Sequence, residues 1–186
     1  MRSVSLYLAI FLLFLCCVAA AQEQPRGPST PEERAREVAI AHKLEAAPLD
    51  EGLYPEREWA IRWVIEVPDV HVNLCPSVLG DFRKSKYKYS SEIIGQLALS
   101  SAAFAIEHPN KMNSLVAQYV AGVEGVLKAY KAILKIKPEA RSEALDDLLQ
   151  EQSYGQLEDF VRDHPCKTPK SLPASLWLST SSSTEP

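Results

Sequence analysis

Between Ile93 and Ile106 the chain reads IIGQLALSSAAFAI, a run without a single charge in which only Gln96, Ser100 and Ser101 are polar. Such a segment has no face to offer to water, and it is shorter than the about 20 residues that a membrane span requires. Its length and its Ala and Leu content favour a helix over a buried strand. The expectation is therefore a buried central helix around which everything else packs. Ser90 or Ser91 offers an N-cap with Glu92 in the first turn, and His108-Pro109 ends the helix, because proline disfavours the helical conformation in the residue before it. Gly95, Ala98, Ala102, Ala103 and Ala105 let neighbouring backbones come close, while Ile93, Ile94, Leu97, Leu99, Phe104 and Ile106 fill space. Each large side chain of this kind contributes roughly 1.5 to 3 kcal/mol when fully buried. Gln96, Ser100 and Ser101 then have to be hydrogen bonded inside the core, to neighbouring helices or to their own backbone.

The flanking sequence supplies the covering helices. Thr30-Pro31-Glu32-Glu33 is a capping box with proline at the first helical position, and it predicts a helix from Pro31 to about Ala46. Pro55 opens a second, in which Trp59, Ala60, Trp63, Val64 and Val67 recur at helical spacing before Pro68. From about Met112 to Ile136 an unbroken stripe runs through Leu115, Tyr119, Val123, Val126, Tyr130 and Ile133. Gly122 and Gly125 inside it each cost about 1 kcal/mol against alanine, which predicts a close crossing over the central helix or a bend. Pro138 to Gln152 reads as a further helix, and Leu157, Phe160 and Val161 mark a short last one. The segment 69–89 has no sustained period. Helix starts near 90, 112 and 139 follow no fixed repeat. The fold class is all-α: a single-domain bundle of about six helices over 31–167, built around the buried helix at 93–106.

The two ends read differently from the domain. Arg2, the apolar run Val4 to Val18 and the small residues Ala19-Ala20-Ala21 make a secretory signal peptide over 1–21, cleaved after Ala21, and so a secreted or periplasmic protein. An uncleaved anchor is the alternative, since Val4 to Ala21 is just long enough to span, and membrane contact would then come through this segment alone. Polar, Pro- and Gly-containing residues 22–30 form a flexible lead, and Ser-, Thr- and Pro-rich residues 168–186 a disordered tail. Cleavage removes Cys16 and Cys17 and leaves Cys75 and Cys166, which in an oxidising compartment form one disulfide. Closing a loop of about 90 residues places its stabilisation near 4 to 5 kcal/mol in the chain-entropy model. Losing Arg2 takes the net charge of −4 to −5, so there is no field for nucleic acid.

Chemistry is sparsely signalled. H-E-x-x-H, G-x-S-x-G, glycine-rich phosphate loops and C-x-x-C are all missing, and no motif calls for a cofactor. His71, Cys75, His164 and Cys166, spaced H-x3-C and H-x-C, offer a tetrahedral zinc set if the thiols are reduced, with the disulfide as the competing use of the same sulfurs. Lys84, Lys86 and Lys88 precede the central helix, and with the free N–H groups near Ser90 they form a candidate anion site that Glu92 partly offsets. Leu176-Trp177-Leu178 stands out of the tail as an apolar triad that either docks back on the domain or hooks a partner. Packing stripes and docking pieces outnumber chemical groups, so the expectation is a non-catalytic binding or interaction module with a protein partner. A small-molecule or metal-dependent enzyme using His71 or His164, and a membrane-anchored structural protein of the envelope, are the alternatives. Export with cleavage predicts that the chain recovered from an exporting host starts at Gln22; an intact mass retaining residues 1–21 would contradict it.

Overall fold

The computed structural model describes residues 26–84 and 86–166, and over these the chain is all-helical, with no strand. Six α-helices follow in order: α1 (Pro31–Ala46), α2 (Tyr54–Glu66), α3 (Ser90–Glu107), α4 (Leu115–Ile136), α5 (Glu143–Ser153) and α6 (Leu157–Asp163). Short 3-10 turns join them, at Glu51–Leu53 and within Pro76–Lys84, where the backbone kinks at Leu79 and Gly80. The apolar run is the body of α3; nine of its fourteen residues are buried, and Ile94, Gly95, Ala98, Phe104 and Ile106 are half-buried. Ile93 and Leu97 enter a main core with Val123, Leu127 and Tyr130 of α4, Leu145 and Leu148 of α5, and Phe82. Leu99 and Ala103 pack with Ile40, Ala41 and Leu44 of α1 and Ala60 of α2. Ala102 and Ala105 face Trp63, Val67 and Val70. One helix thus contributes to every hydrophobic cluster.

Local chemistry explains most boundaries. The capping box of α1 forms as expected: Glu33 N–H donates to the Thr30 hydroxyl at 3.2 Å and Thr30 N–H to the Glu33 carboxylate at 3.0 Å. Three boundaries differ from the sequence expectation. Tyr89, not a serine, occupies the N-cap of α3, because the Ser90 hydroxyl donates backwards to the Tyr87 carbonyl. Met112 lies in a turn, with Ser114 N–H bonded to the Lys111 carbonyl, so α4 starts at Leu115 behind a Ser114 cap. Pro138 opens a turn closed by Ala140 N–H to Lys137 C=O at 2.9 Å, and α5 begins only at Glu143. The lead is tied down where it is described: Ser29 donates its N–H and hydroxyl to Asp69, and Arg34 bonds the same carboxylate at 2.6 Å. Burial pushes the Asp69 carboxyl up, but these donors outweigh it and hold it down to about 2.

α3 and α4 run antiparallel and touch along their backbones. Ser101 meets Gln118, and one turn on Leu97 meets Gly122. The two glycines make this closeness feasible. A Cβ on Gly122 would stand 3.0 Å from the Leu97 carbonyl oxygen, and one on Gly125 would overlap the Ser100 side chain and lie 2.8 Å from Glu45 Oε1. Close crossing, not a bend, is the reason for both. The three polar residues of α3 are satisfied within the core, as expected. Gln96 donates to the Ala41 carbonyl at 3.1 Å and to Ser100 Oγ at 2.8 Å, and Ser100 donates to Glu45 Oε1 at 3.0 Å. The Ser101 hydroxyl is shared between the carbonyls of Leu97 and Gln118. Lys128 of α4 reaches the other oxygen of Glu45 at 3.0 Å, with His42 at 3.1 Å, so one carboxylate links α1, α3 and α4. Burial pushes the Glu45 carboxyl up, yet Lys128, His42 and Ser100 together hold it below the usual range.

The Cys75 and Cys166 Cα atoms are 5.8 Å apart and the two residues are bridged. Cys75 is buried in the main core, so the bond ties the segment after α2 to the end of α6. Elsewhere in the core, the Glu37 side chain is fully buried and neither oxygen has a hydrogen-bond partner among the described residues. Burial pushes its carboxyl up to about 8, so it carries a proton at neutral pH.

Two outcomes follow from this packing. Gly125→Ala should lower the unfolding free energy by about 1 to 3 kcal/mol in urea titrations, as an overpacked crossing does, whereas Gly27→Ala, with open space around it, should change nothing. For Glu37 the folded value lies above the ordinary glutamate value of 4.5, so between about pH 4.5 and about 8 the native chain holds a proton that the unfolded chain has released. Stability therefore falls as pH rises through that window and is flat above it. Glu37→Gln should remove this component, gaining on the wild type by on the order of 3 to 5 kcal/mol between about pH 5 and about pH 8. Parallel stability curves for the two proteins would contradict a protonated Glu37.

Candidate groove between the segment before α3 and the α4–α5 turn

The chain just before α3 is held against the turn that leads from α4 to α5. Tyr87 is the pin: its hydroxyl donates to the Ala140 carbonyl at 3.1 Å, and its ring lies edge-on to Phe82, Tyr89 and Tyr130. Tyr130, fully buried on α4, holds the turn from beneath. Its hydroxyl accepts from Ser142 N–H at 2.9 Å and donates to Asp146 Oδ1 at 2.9 Å. Arg141 grips the other oxygen of Asp146 through Nε at 3.1 Å and Nη2 at 3.0 Å. Burial, with the neighbouring phenols, pushes the Tyr87 hydroxyl well up, and burial raises Tyr130 likewise. Both phenols are therefore fixed donors near neutral pH and do not serve as acids or bases.

Between these two segments lies an open groove of about 740 Å³. One wall carries Asp81, Lys84, Lys86 and Lys88, the other Glu139, Arg141, Glu143 and Asp147, with Tyr87 and Tyr89 between. Charges of one wall neutralise charges of that same wall in part: Lys84 pairs with Asp81 at 2.7 Å and Arg141 with Asp146 at 3.0 Å. Lys86 and Lys88 have no carboxylate within ion-pair distance among the described residues, and neither do Glu139, Glu143 and Asp147 with respect to cations. Lys88 instead lies 5.4 Å from the centroid of the Tyr89 ring. The result is two unneutralised cations facing three unneutralised carboxylates across a tyrosine floor.

The structure thus brings the expected anion residues Lys84, Lys86 and Lys88 together at one groove and separates Ser90 from them. The Ser90 hydroxyl is spent on the Tyr87 carbonyl, and the carboxylates opposite offset the positive potential that the sequence pattern implied. The expected zinc set is not assembled. Cys75 and Cys166 are bonded to each other, and bridged sulfurs are not thiolate donors. His164 stacks on Phe160 with centroids 4.0 Å apart and engages that residue's carbonyl through Nδ1 at 2.8 Å. His71 is exposed beside Val70 and Val72. Among the described residues no three His, Cys, Asp or Glu side chains are grouped so as to hold a metal ion. The triad Leu176, Trp177 and Leu178, the signal at 1–21 and the tail at 168–186 lie outside the described residues.

Glu139, Arg141, Glu143 and Asp147 were not singled out from the sequence. They fall in the segment the sequence assigns to a helix from Pro138, and nothing in their spacing reveals that a segment more than fifty positions earlier lies across from them. The one usable signal was Tyr87, an aromatic residue amid lysines that had to bury its ring somewhere. No protein-family model, no curated protein and no solved structure matches this chain.

Proposed function

We propose that the chain is an exported, non-catalytic binding module whose groove between Lys84–Tyr89 and Glu139–Asp147 receives an extended peptide segment bearing charges of both signs. The observation that carries this reading is the opposed, unneutralised charge of the two walls. A simple anion would meet Lys86 and Lys88 but also the three carboxylates opposite, and a simple cation would meet the reverse. A ligand with an acidic and a basic group a few residues apart satisfies both walls, and its stem can lie on the tyrosines, whose rings give large contact area at small entropic cost. The floor is held by Tyr87 and Tyr130 before any ligand arrives, which lowers the ordering cost of binding. Export is supported by the bridge between Cys75 and Cys166, a bond that persists in oxidising compartments, and by the apolar run Val4 to Val18. The enzyme alternative loses its supporting feature because the Cys–His set it relied on is not assembled. The anchored alternative rests on Val4 to Ala21 alone; among the described residues no helix is long and apolar enough to cross a membrane.

The test uses peptides selected on the wild-type chain from a random display library, with inorganic phosphate as the simple-anion probe. Charge reversal on either wall, Lys86→Glu with Lys88→Glu or Glu143→Lys with Asp147→Lys, should weaken the selected peptides by about threefold to thirtyfold, the range for two partly exposed ion pairs. Affinity should also fall as salt rises from about 50 to about 500 mM. Peptides indifferent to both reversals, or phosphate binding as tightly as the peptides, would contradict the reading.

A further inference from the structure

The outer side of α2 carries an apolar stripe that nothing in the described structure covers. Tyr54, Ile61 and Ile65 fall on one face, with Arg57, Glu58 and Arg62 at its edges, and line a shallow groove of about 580 Å³. Ile65 is 78% exposed and Tyr54 48%. An isoleucine that open on a helix otherwise well patterned calls for an occupant. Beyond Ile65 the chain passes a second depression where Val67 and Val70 are buried and His71 and Asn73 are exposed, and past it Leu74 is 50% exposed. Leu74 adjoins Cys75, and Cys75 is bridged to Cys166, the last described residue, with Cα atoms 5.8 Å apart. The path from the point where residues 167–186 leave the domain back to the α2 stripe therefore runs past Leu74 and Val72.

We infer that Leu176-Trp177-Leu178 folds back along this path and seats Trp177 on the Ile61 and Ile65 face of α2. The reach suffices. The segment from Cys166 to Trp177 can span about 36 to 40 Å. The route from Cys75 back to Ile65 is one residue shorter, it bends at 68–70, and its last two residues, Glu66 and Ile65, are helical, so it covers less than its full extension. A second copy of the chain suits the stripe less well. A helix of this length is about 20 Å long and about 10 Å across, so its outer face offers on the order of 200 Å², against about 800 Å² per partner in a stable interface. A tethered anchor does not need that area, because the tether supplies an effective concentration near the millimolar range. Trp177 is the only aromatic residue after Phe160, and its ring is large enough to cover Ile65.

Chymotrypsin cleavage at Trp177 in the full chain reads this contact. Ile65→Glu is the informative variant, since its side chain is already mostly in water and the change leaves the core intact; Ile136→Glu, at another exposed apolar site at the end of α4, is the control. Cleavage at Trp177 should be at least about fivefold faster in Ile65→Glu than in the wild type, with Ile136→Glu matching the wild type, at rates independent of protein concentration. Equal rates in the wild type and Ile65→Glu would overturn the inference. So would protection that disappears on dilution, which would assign the stripe to a second copy.

Discussion

An uncharged run has little to offer water, and burying most of α3 against its neighbours dictates the rest of the molecule. α4 lies along one side, α1 along another, α2 with the chain that follows it closes a third, and each brings its own hydrophobic cluster to the same rod. Small residues set the distances. Gly122 and Gly125 let α4 sit on the backbone of α3, and only one register places Gly125 over Ser100 and Gly122 over Leu97. The polar residues then fasten that register. Glu45 collects Ser100 and Lys128 from the other two helices besides His42 of its own, so a slip of one turn would strip two partners from a mostly buried carboxylate, a change more damaging than the loss of one apolar contact.

Much of this was legible in the residues. The central helix announced itself by lacking charge, α1 by its capping box, the glycine pair by sitting in the middle of a stripe where alanine would have been better, and the disulfide by Cys75 and Cys166, the two cysteines outside the expected signal peptide. What the sequence did not disclose was set by contacts between distant segments. Ser90 was read as a cap because its type fits, but the Tyr87 carbonyl lies closer to its hydroxyl than any free amide of α3. Pro138 was read as a helix start, but the buried Tyr130 hydroxyl captures the Ser142 amide and delays α5 to Glu143. Glu37 gave no warning at all, since a glutamate on an amphipathic helix is ordinarily solvated and only the packing of α1 shows it enclosed.

The groove follows from the same architecture. Covering the lower half of α3 requires the segment 76–89 to fold under α5, and the aromatic residues that make this fold, Phe82, Tyr87 and Tyr130, become its floor. Its charged walls are then the unavoidable outer faces of two segments brought side by side. Their charges are not spent on each other, and that separates the groove from the ordinary ion pairs elsewhere on the surface. The lysines were legible as a cluster; their opposition to Glu139, Glu143 and Asp147 was not, because a fold had to place them.

Amide hydrogen exchange along the chain tests the central role of α3 most directly. Amides between 95 and 105 should be the slowest in the protein and should exchange only through global unfolding, with the same free energy as urea denaturation reports. Exchange of these amides as fast as those in the turn at 108–111 would show that α3 opens on its own, and the account of α3 as the buried centre of the fold would fail.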